Sequence, residues 1–134
     1  MVLIVCVDDH NGLSFNNRRI SSDTAVVQDI IKVADSKIIT ISAYSAFLFH
    51  DFRDSIEVRE DVFGSASAVC FAEAGDFLSI IDNVHKLIVY KWNRCYPSDR
   101  KFPLDAYKSR MRLESTEDIT GSSHPCITRE VYIR

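Results

Sequence analysis

Residues 2–7 are apolar at every position: Val2-Leu3-Ile4-Val5-Cys6-Val7. A strand with one wet face alternates apolar and polar side chains. An unbroken apolar run of strand length therefore demands cover on both faces. Three further runs make the same demand. Residues 37–41 are rich in β-branched side chains, residues 68–72 are apolar throughout, and residues 86–92 read Lys-Leu-Ile-Val-Tyr-Lys-Trp. Several strands buried on both faces imply a mostly parallel sheet sandwiched by helices.

The intervening segments supply the cover. Ser21-Ser22-Asp23 offers capping oxygens for a helix, with Asp23 placed in its first turn. Val26, Val27, Ile30, Ile31 and Ala34 follow at helical spacing and form one apolar face. Residues 43–49 suit a short helix. Residues 76–83 suit another, with Phe77, Ile80 and Ile81 inward. Residues 8–17 read as loop, and Asn11-Gly12 marks a turn. Ile56-Glu57-Val58 alternates like an edge strand. Towards the C-terminus the period changes to two: residues 110–116 alternate, a Gly-Ser-Ser turn follows, and residues 126–133 alternate again. That pattern predicts a closing antiparallel hairpin over 114–133. The expectation is one α/β domain over residues 1–134, with an antiparallel edge on a mostly parallel sheet.

Composition excludes little but excludes it firmly. A chain of 134 residues that is 46% hydrophobic can bury a core. The net charge of −3 gives no general attraction to nucleic acid or an anionic membrane. No stretch reaches the ~20 apolar residues that span a bilayer, and the first strand has no basic leader, so a cytoplasmic protein is expected. The four cysteines, Cys6, Cys70, Cys95 and Cys126, contain no CxxC pair and read as reduced thiols, Cys6 and Cys70 buried. His10, His50 and His85 show no ligand spacing with each other or with cysteine, so no metal site is expected.

Three polar motifs stand out because each follows a strand or sits at a hairpin turn, where sites usually lie. They are Phe15-Asn16-Asn17-Arg18-Arg19, the run from Trp92 to Asp99, and Gly121-Ser122-Ser123-His124-Pro125.

The order of these elements resembles dihydrofolate reductase along almost the whole chain. Val5-Cys6-Val7-Asp8 and its glycine-containing loop resemble that family's first strand and active-site loop. Ile20-Ser21-Ser22-Asp23 resembles the helix start carrying the family's acidic residue, which places Asp23 at that position. Residues 86–103, ending Asp99-Arg100-Lys101-Phe102-Pro103, resemble the later strand and its Asp-x-x-Phe-Pro loop. Glu114 to Tyr132 resembles the closing hairpin.

The departures from the family bear on function. Its Leu-Pro-Trp is absent. Its Gly-Arg-x-Thr, which holds cofactor phosphate, reads Ser42-Ala43-Tyr44-Ser45, so only a hydroxyl remains. Its Gly-Gly reads Ala72-Glu73, which adds bulk and negative charge near a phosphate path. Tyr90 replaces a threonine that helps bind the pterin, and the adenosine side is shortened. The resemblance therefore implies a divergent reductase-fold protein that has lost reductase activity and needs no cofactor. NADPH belongs only to the rival in which the chain is a working reductase.

If the fold holds, the three loops meet at one edge. Arg18, Arg19 and Arg94 offer planar donors for carboxylate or phosphate, with Asn16, Asn93, Asp99 and Ser123 beside them. His124 adds a proton-transfer group near neutral pH, and a buried Asp23 with a raised pKa would act as proton donor. The edge then binds a small anionic ligand or a protein partner. Alternatively Asp99 consumes the arginines and the edge is only a latch. A nucleotide- or nucleic-acid-processing activity using the Arg/His cluster is a further rival, and so is a purely structural module.

Overall fold

The computed structural model describes residues 1–65 and 68–134. The first buried run forms β1 (Val2–Val7). Its side chains alternate between two cores. Leu3, Val5 and Val7 face one cluster, and Ile4 faces the other. This is why no polar residue is tolerated along it.

The remaining strands are β2 (Gly12–Phe15), β3 (Arg18–Arg19), β4 (Ile39–Ile41), β5 (Ile56–Val58), β6 (Val69–Phe71), β7 (Lys86–Lys91), β8 (Arg100–Lys101), β9 (Arg112–Ile119) and β10 (Ile127–Ile133). The main sheet has the order β5-β4-β6-β1-β7-β10-β9. β5, β4, β6, β1 and β7 are parallel, while β10 and β9 are antiparallel to their neighbours. A bulge lies between Val131 and Tyr132. The mixed sheet and the closing hairpin agree with the sequence. The buried runs at 37–41, 68–72 and 86–92 become slightly shorter strands.

Helix α1 (Thr24–Ala34) buries Val26, Val27, Ile30 and Ala34 against Ile4, Ile88 and Tyr90. Asp23 is its N-cap and not a first-turn residue: the backbone is extended there, and the carboxylate accepts from the Ala25 N–H at 2.8 Å. The other face is covered by α3 (Leu104–Lys108), where Phe102 meets Phe77 edge to face and Tyr107 at a tilt. Tyr107 donates to the Phe77 carbonyl at 2.6 Å.

Three local expectations are corrected. Residues 8–17 are not all loop. Asn16 and Asn17 both adopt left-handed φ, 54° and 62°, the geometry of a two-residue hairpin turn. The resulting β2–β3 hairpin is joined by β8 into a small three-stranded sheet. Residues 76–83 do not form a regular helix. Ser79 bonds back to Asp76 through both its N–H and its hydroxyl, which satisfies the backbone locally, and only Ile81–Asn83 makes a 3-10 turn. Phe77, Ile80 and Ile81 are nevertheless buried. Helix α2 is only Ala43–Ala46, followed by a kinked 3-10 segment, Phe47–Ser55, that breaks helical φ/ψ at Phe49 and Phe52.

Candidate functional site

Parallel strands place their carboxyl ends on one edge of the sheet, and ligands of open α/β sheets bind outside that edge. Here Ser42 follows β4, Ala72 follows β6 and Asp8 follows β1. Ser42, Ala72 and Glu73 open into a cleft of about 520 Å³, with Leu13, Tyr44 and Phe63 among its walls. Glu73 is fixed inside it. Arg19 donates to both of its carboxylate oxygens, at 2.8 and 2.9 Å, and the Ser45 hydroxyl donates at 2.7 Å. The guanidinium lies over the Tyr44 ring at 4.5 Å, and the Tyr44 hydroxyl accepts from the Arg19 N–H. Glu60, Asp61 and Asp76 add three more carboxylates to the lining, against Arg19 and Arg100. The cleft thus carries more negative than positive groups.

The second arrangement lies where the closing hairpin reaches the start of α1. The Asp23 carboxylate is buried and accepts from the N–H groups of Ala25, Ser122 and Ser123 at 2.8–2.9 Å. The Ser123 hydroxyl adds a bond at 3.2 Å, and His124 Nδ1 lies at 2.9 Å. Burial opposes ionisation of Asp23, but the bonds from Ser122, Ser123, His124 and Ala25 together outweigh it. They hold the carboxyl well below the usual carboxylate range. An ionised Asp23 can only accept, so His124 carries its proton on Nδ1. The other ring nitrogen, Nε2, lies 2.8 Å from Ser21 Oγ and 3.2 Å from the Tyr96 hydroxyl. The imidazole itself is buried and stacks on Trp92 at 4.8 Å. Gly121 makes the close approach possible. A Cβ there would sit 2.5 Å from the His124 carbonyl oxygen and 2.6 Å from Asp23 Oδ2.

Two carboxylates join the loops. Asp8 is buried and accepts from the N–H groups of His10, Gly12 and Tyr96. Burial works against the charge, but these three bonds win and lower its pKa. Asp99 accepts from the Asn16 N–H at 3.0 Å.

The fold is similar to that of a solved structure. Dihydrofolate reductase from Enterococcus faecalis, complexed with NADP(H) and RAB-propyl, superposes with a TM-score of 0.67 over 99% of this chain and 95% of that one, at 10% identity. No protein-family profile matches the chain, and no curated protein does. The fold is dihydrofolate reductase-like.

On this reductase-like frame the positions singled out from sequence fall into separate groups. Ser42, Tyr44, Ala72 and Glu73, which the resemblance aligns with the cofactor-phosphate motifs, line one cleft. Tyr90 is fully buried beneath α1, where its hydroxyl donates to Asp29 Oδ2 at 2.7 Å. Asp23, Ser123 and His124 come together. The expected raised pKa of Asp23 is reversed, because burial is overcome by so many donors. Asn16 and Asp99 also come together, as a backbone-to-carboxylate latch. The arginines do not converge on Asp99. Arg19 turns into the cleft towards Glu73, while the exposed Arg18 and Arg94 side chains make no ion pair among the described residues. Asn93 leaves the group too, bonding the Cys126 carbonyl and Thr128 hydroxyl of the hairpin.

Asp8, Ser21 and Glu73 as a partner of Arg19 carried no assigned site role in the sequence, and Tyr96 was placed at the three-loop edge without one. Ser21 lies two positions before Asp23 on the same loop, which is the signal that could have found it. Cys70 is buried as expected, Cys95 and Cys126 are exposed, and Cys6 is only half-buried. Among the described residues no helix is long and apolar enough to cross a membrane.

Proposed function

We propose that this chain keeps the reductase frame without NADPH-dependent reduction, and that it binds a small anionic ligand at the groove between the β2–β3 hairpin and the 92–99 loop. The observation that carries the reading is the charge of two neighbouring hollows. The large cleft, where a reductase of this fold would place an anionic dinucleotide, is lined by Glu60, Asp61, Glu73 and Asp76, and Glu73 already neutralises Arg19. The smaller groove, about 360 Å³, is lined by Phe15, Asn16, Arg18, Arg19, Ile20, Tyr96 and Pro97, with no carboxylate among them. Arg18 is exposed there and makes no ion pair among the described residues, so its planar donors are available to a carboxylate or phosphate.

Two titrations test the reading. Calorimetry with NADPH is expected to give no binding tighter than millimolar. Micromolar affinity would restore the working reductase as the better account. Inorganic phosphate is expected to raise the melting temperature of the wild type, since a ligand of the native state stabilises it. Arg18→Ala should remove most of that rise while leaving the unliganded melting temperature unchanged. An equal phosphate effect in both proteins would exclude the groove.

A further inference from the structure

We propose that Ser21, His124 and Asp23 form a serine nucleophile, its base and its orienting carboxylate, and that the site transfers acyl groups from small esters. The three side chains come from two segments about a hundred positions apart. Their separations are those an acyl-transfer relay requires: Ser21 Oγ to His124 Nε2 is 2.8 Å, and His124 Nδ1 to Asp23 Oδ2 is 2.9 Å. The roles are distinguishable. Asp23 is buried and fixed by three backbone N–H groups, so it cannot swing away from the imidazole. Trp92 stacks on the ring and fixes its plane. With the proton on Nδ1, Nε2 presents its lone pair to Ser21. Of the three, Ser21 alone is partly exposed, as a nucleophile must be.

Tyr96 connects this relay to the groove. Its side chain lines the groove, and its hydroxyl lies 3.4 Å from Ser21 Oγ, as donor to it. A carbonyl oxygen entering from the groove can take over that hydroxyl as a hydrogen-bond donor while charge develops on it. The step is balanced within the site. Ser21 Oγ attacks the ester carbonyl carbon, and the hydroxyl proton passes to His124 Nε2. The carbonyl π pair moves onto oxygen and then returns, breaking the bond to the leaving alkoxide, which takes the proton back from Nε2. Water repeats the sequence to release the acid. Phe15 and Ile20 suit an apolar acyl part, and Arg18 suits an anionic tail. The preference for anionic esters rests on the groove reading above; the nucleophile does not.

The experiment uses the whole chain with a fluorophosphonate probe and with 4-nitrophenyl acetate and hemisuccinate. Intact mass and peptide mapping are expected to show one phosphonyl adduct on Ser21, absent in Ser21→Ala. Asp23→Asn should slow labelling at least a hundredfold, because the amide can reverse the imidazole tautomer. The groups facing His124 are Asp23 and Ser123 at Nδ1, Ser21 and Tyr96 at Nε2, and the Trp92 ring. Arg18→Ala should lower turnover of hemisuccinate relative to acetate. Absence of both adduct and ester turnover in the folded wild type, or labelling that survives Ser21→Ala, would show that the network is a latch and overturn the proposal. An intact adduct with no hemisuccinate preference would instead keep the nucleophile and discard the anion groove.

Discussion

Replacing Asp23 with alanine is the sharpest test of how the closing hairpin is held. The side chain is fully buried, with 0% of it exposed, and it receives five donors: three backbone N–H groups, the Ser123 hydroxyl and His124 Nδ1. Loss of the N-cap alone costs about 1 kcal/mol. The His124 N–H is buried and keeps no carboxylate partner, which adds about 1.5 kcal/mol for a bond to a charged acceptor. Ser122 and Ser123 are exposed, so water replaces much of what their N–H groups lose. The sum is about 3 kcal/mol, or a fall in melting temperature of roughly 10 °C for a chain of this size. Asp23→Asn keeps one acceptor oxygen and should lose about half as much. The pH dependence has a fixed sign. The folded-state pKa is depressed, so the carboxylate's contribution is complete above the unfolded value of about 4 and is lost as pH falls below it. Urea unfolding of wild type and Asp23→Ala at several pH values reads the difference directly. The gap between them should be constant from pH 4.5 to 6 in its carboxylate part and should narrow steadily towards pH 2. A loss below about 1 kcal/mol, or a gap that does not narrow in acid, would refute the anchoring role.

Gly121→Ala should act on the same anchor by steric means, since the new Cβ meets the His124 carbonyl oxygen and Asp23 Oδ2; thermal unfolding should show a loss of about 2 kcal/mol. Glu73→Gln should cost about 1–2 kcal/mol, because both members of its pair with Arg19 are mostly buried. The same change should strengthen phosphate binding in the cleft, followed by titration in the NMR spectrum. Asp99→Ala should speed amide exchange at Asn16 and its hairpin with little effect on global stability, because the bond it removes is exposed. Unchanged exchange at Asn16 would mean that the Asp99 carboxylate does not hold the hairpin.

The frame was legible in the pattern of residue types along the chain. Val2 to Val7 is apolar at every position, and that pattern admits few arrangements other than a central strand covered on both faces. The alternating C-terminal segments admit few other than an antiparallel hairpin, and the spacing of Val26, Val27 and Ile30 fixes the face of α1. Such patterns are legible because burial selects residue type at each position with a period set by local backbone geometry. The hairpin turn at Asn16-Asn17 was missed, because residues 8–17 read as loop, although asparagine is one of the few residues other than glycine that accept left-handed φ readily.

The site was legible only in part. Asp23 and His124 were singled out, but not that Ser122 and Ser123 would hold the carboxylate ionised. Nothing in the sequence said that Arg19 would turn towards Glu73 and leave Asp99 to the Asn16 backbone. Hydrogen-bond partners of surface loops depend on where separate segments arrive in space, and a guanidinium can reach several acceptors from one backbone position. Tertiary structure alone decided which carboxylate lies within 3 Å of Arg19 and which hydroxyl lies within 3 Å of His124. Those two distances separate an anion site from an ion pair, and a capped helix from a row of groups able to pass a proton.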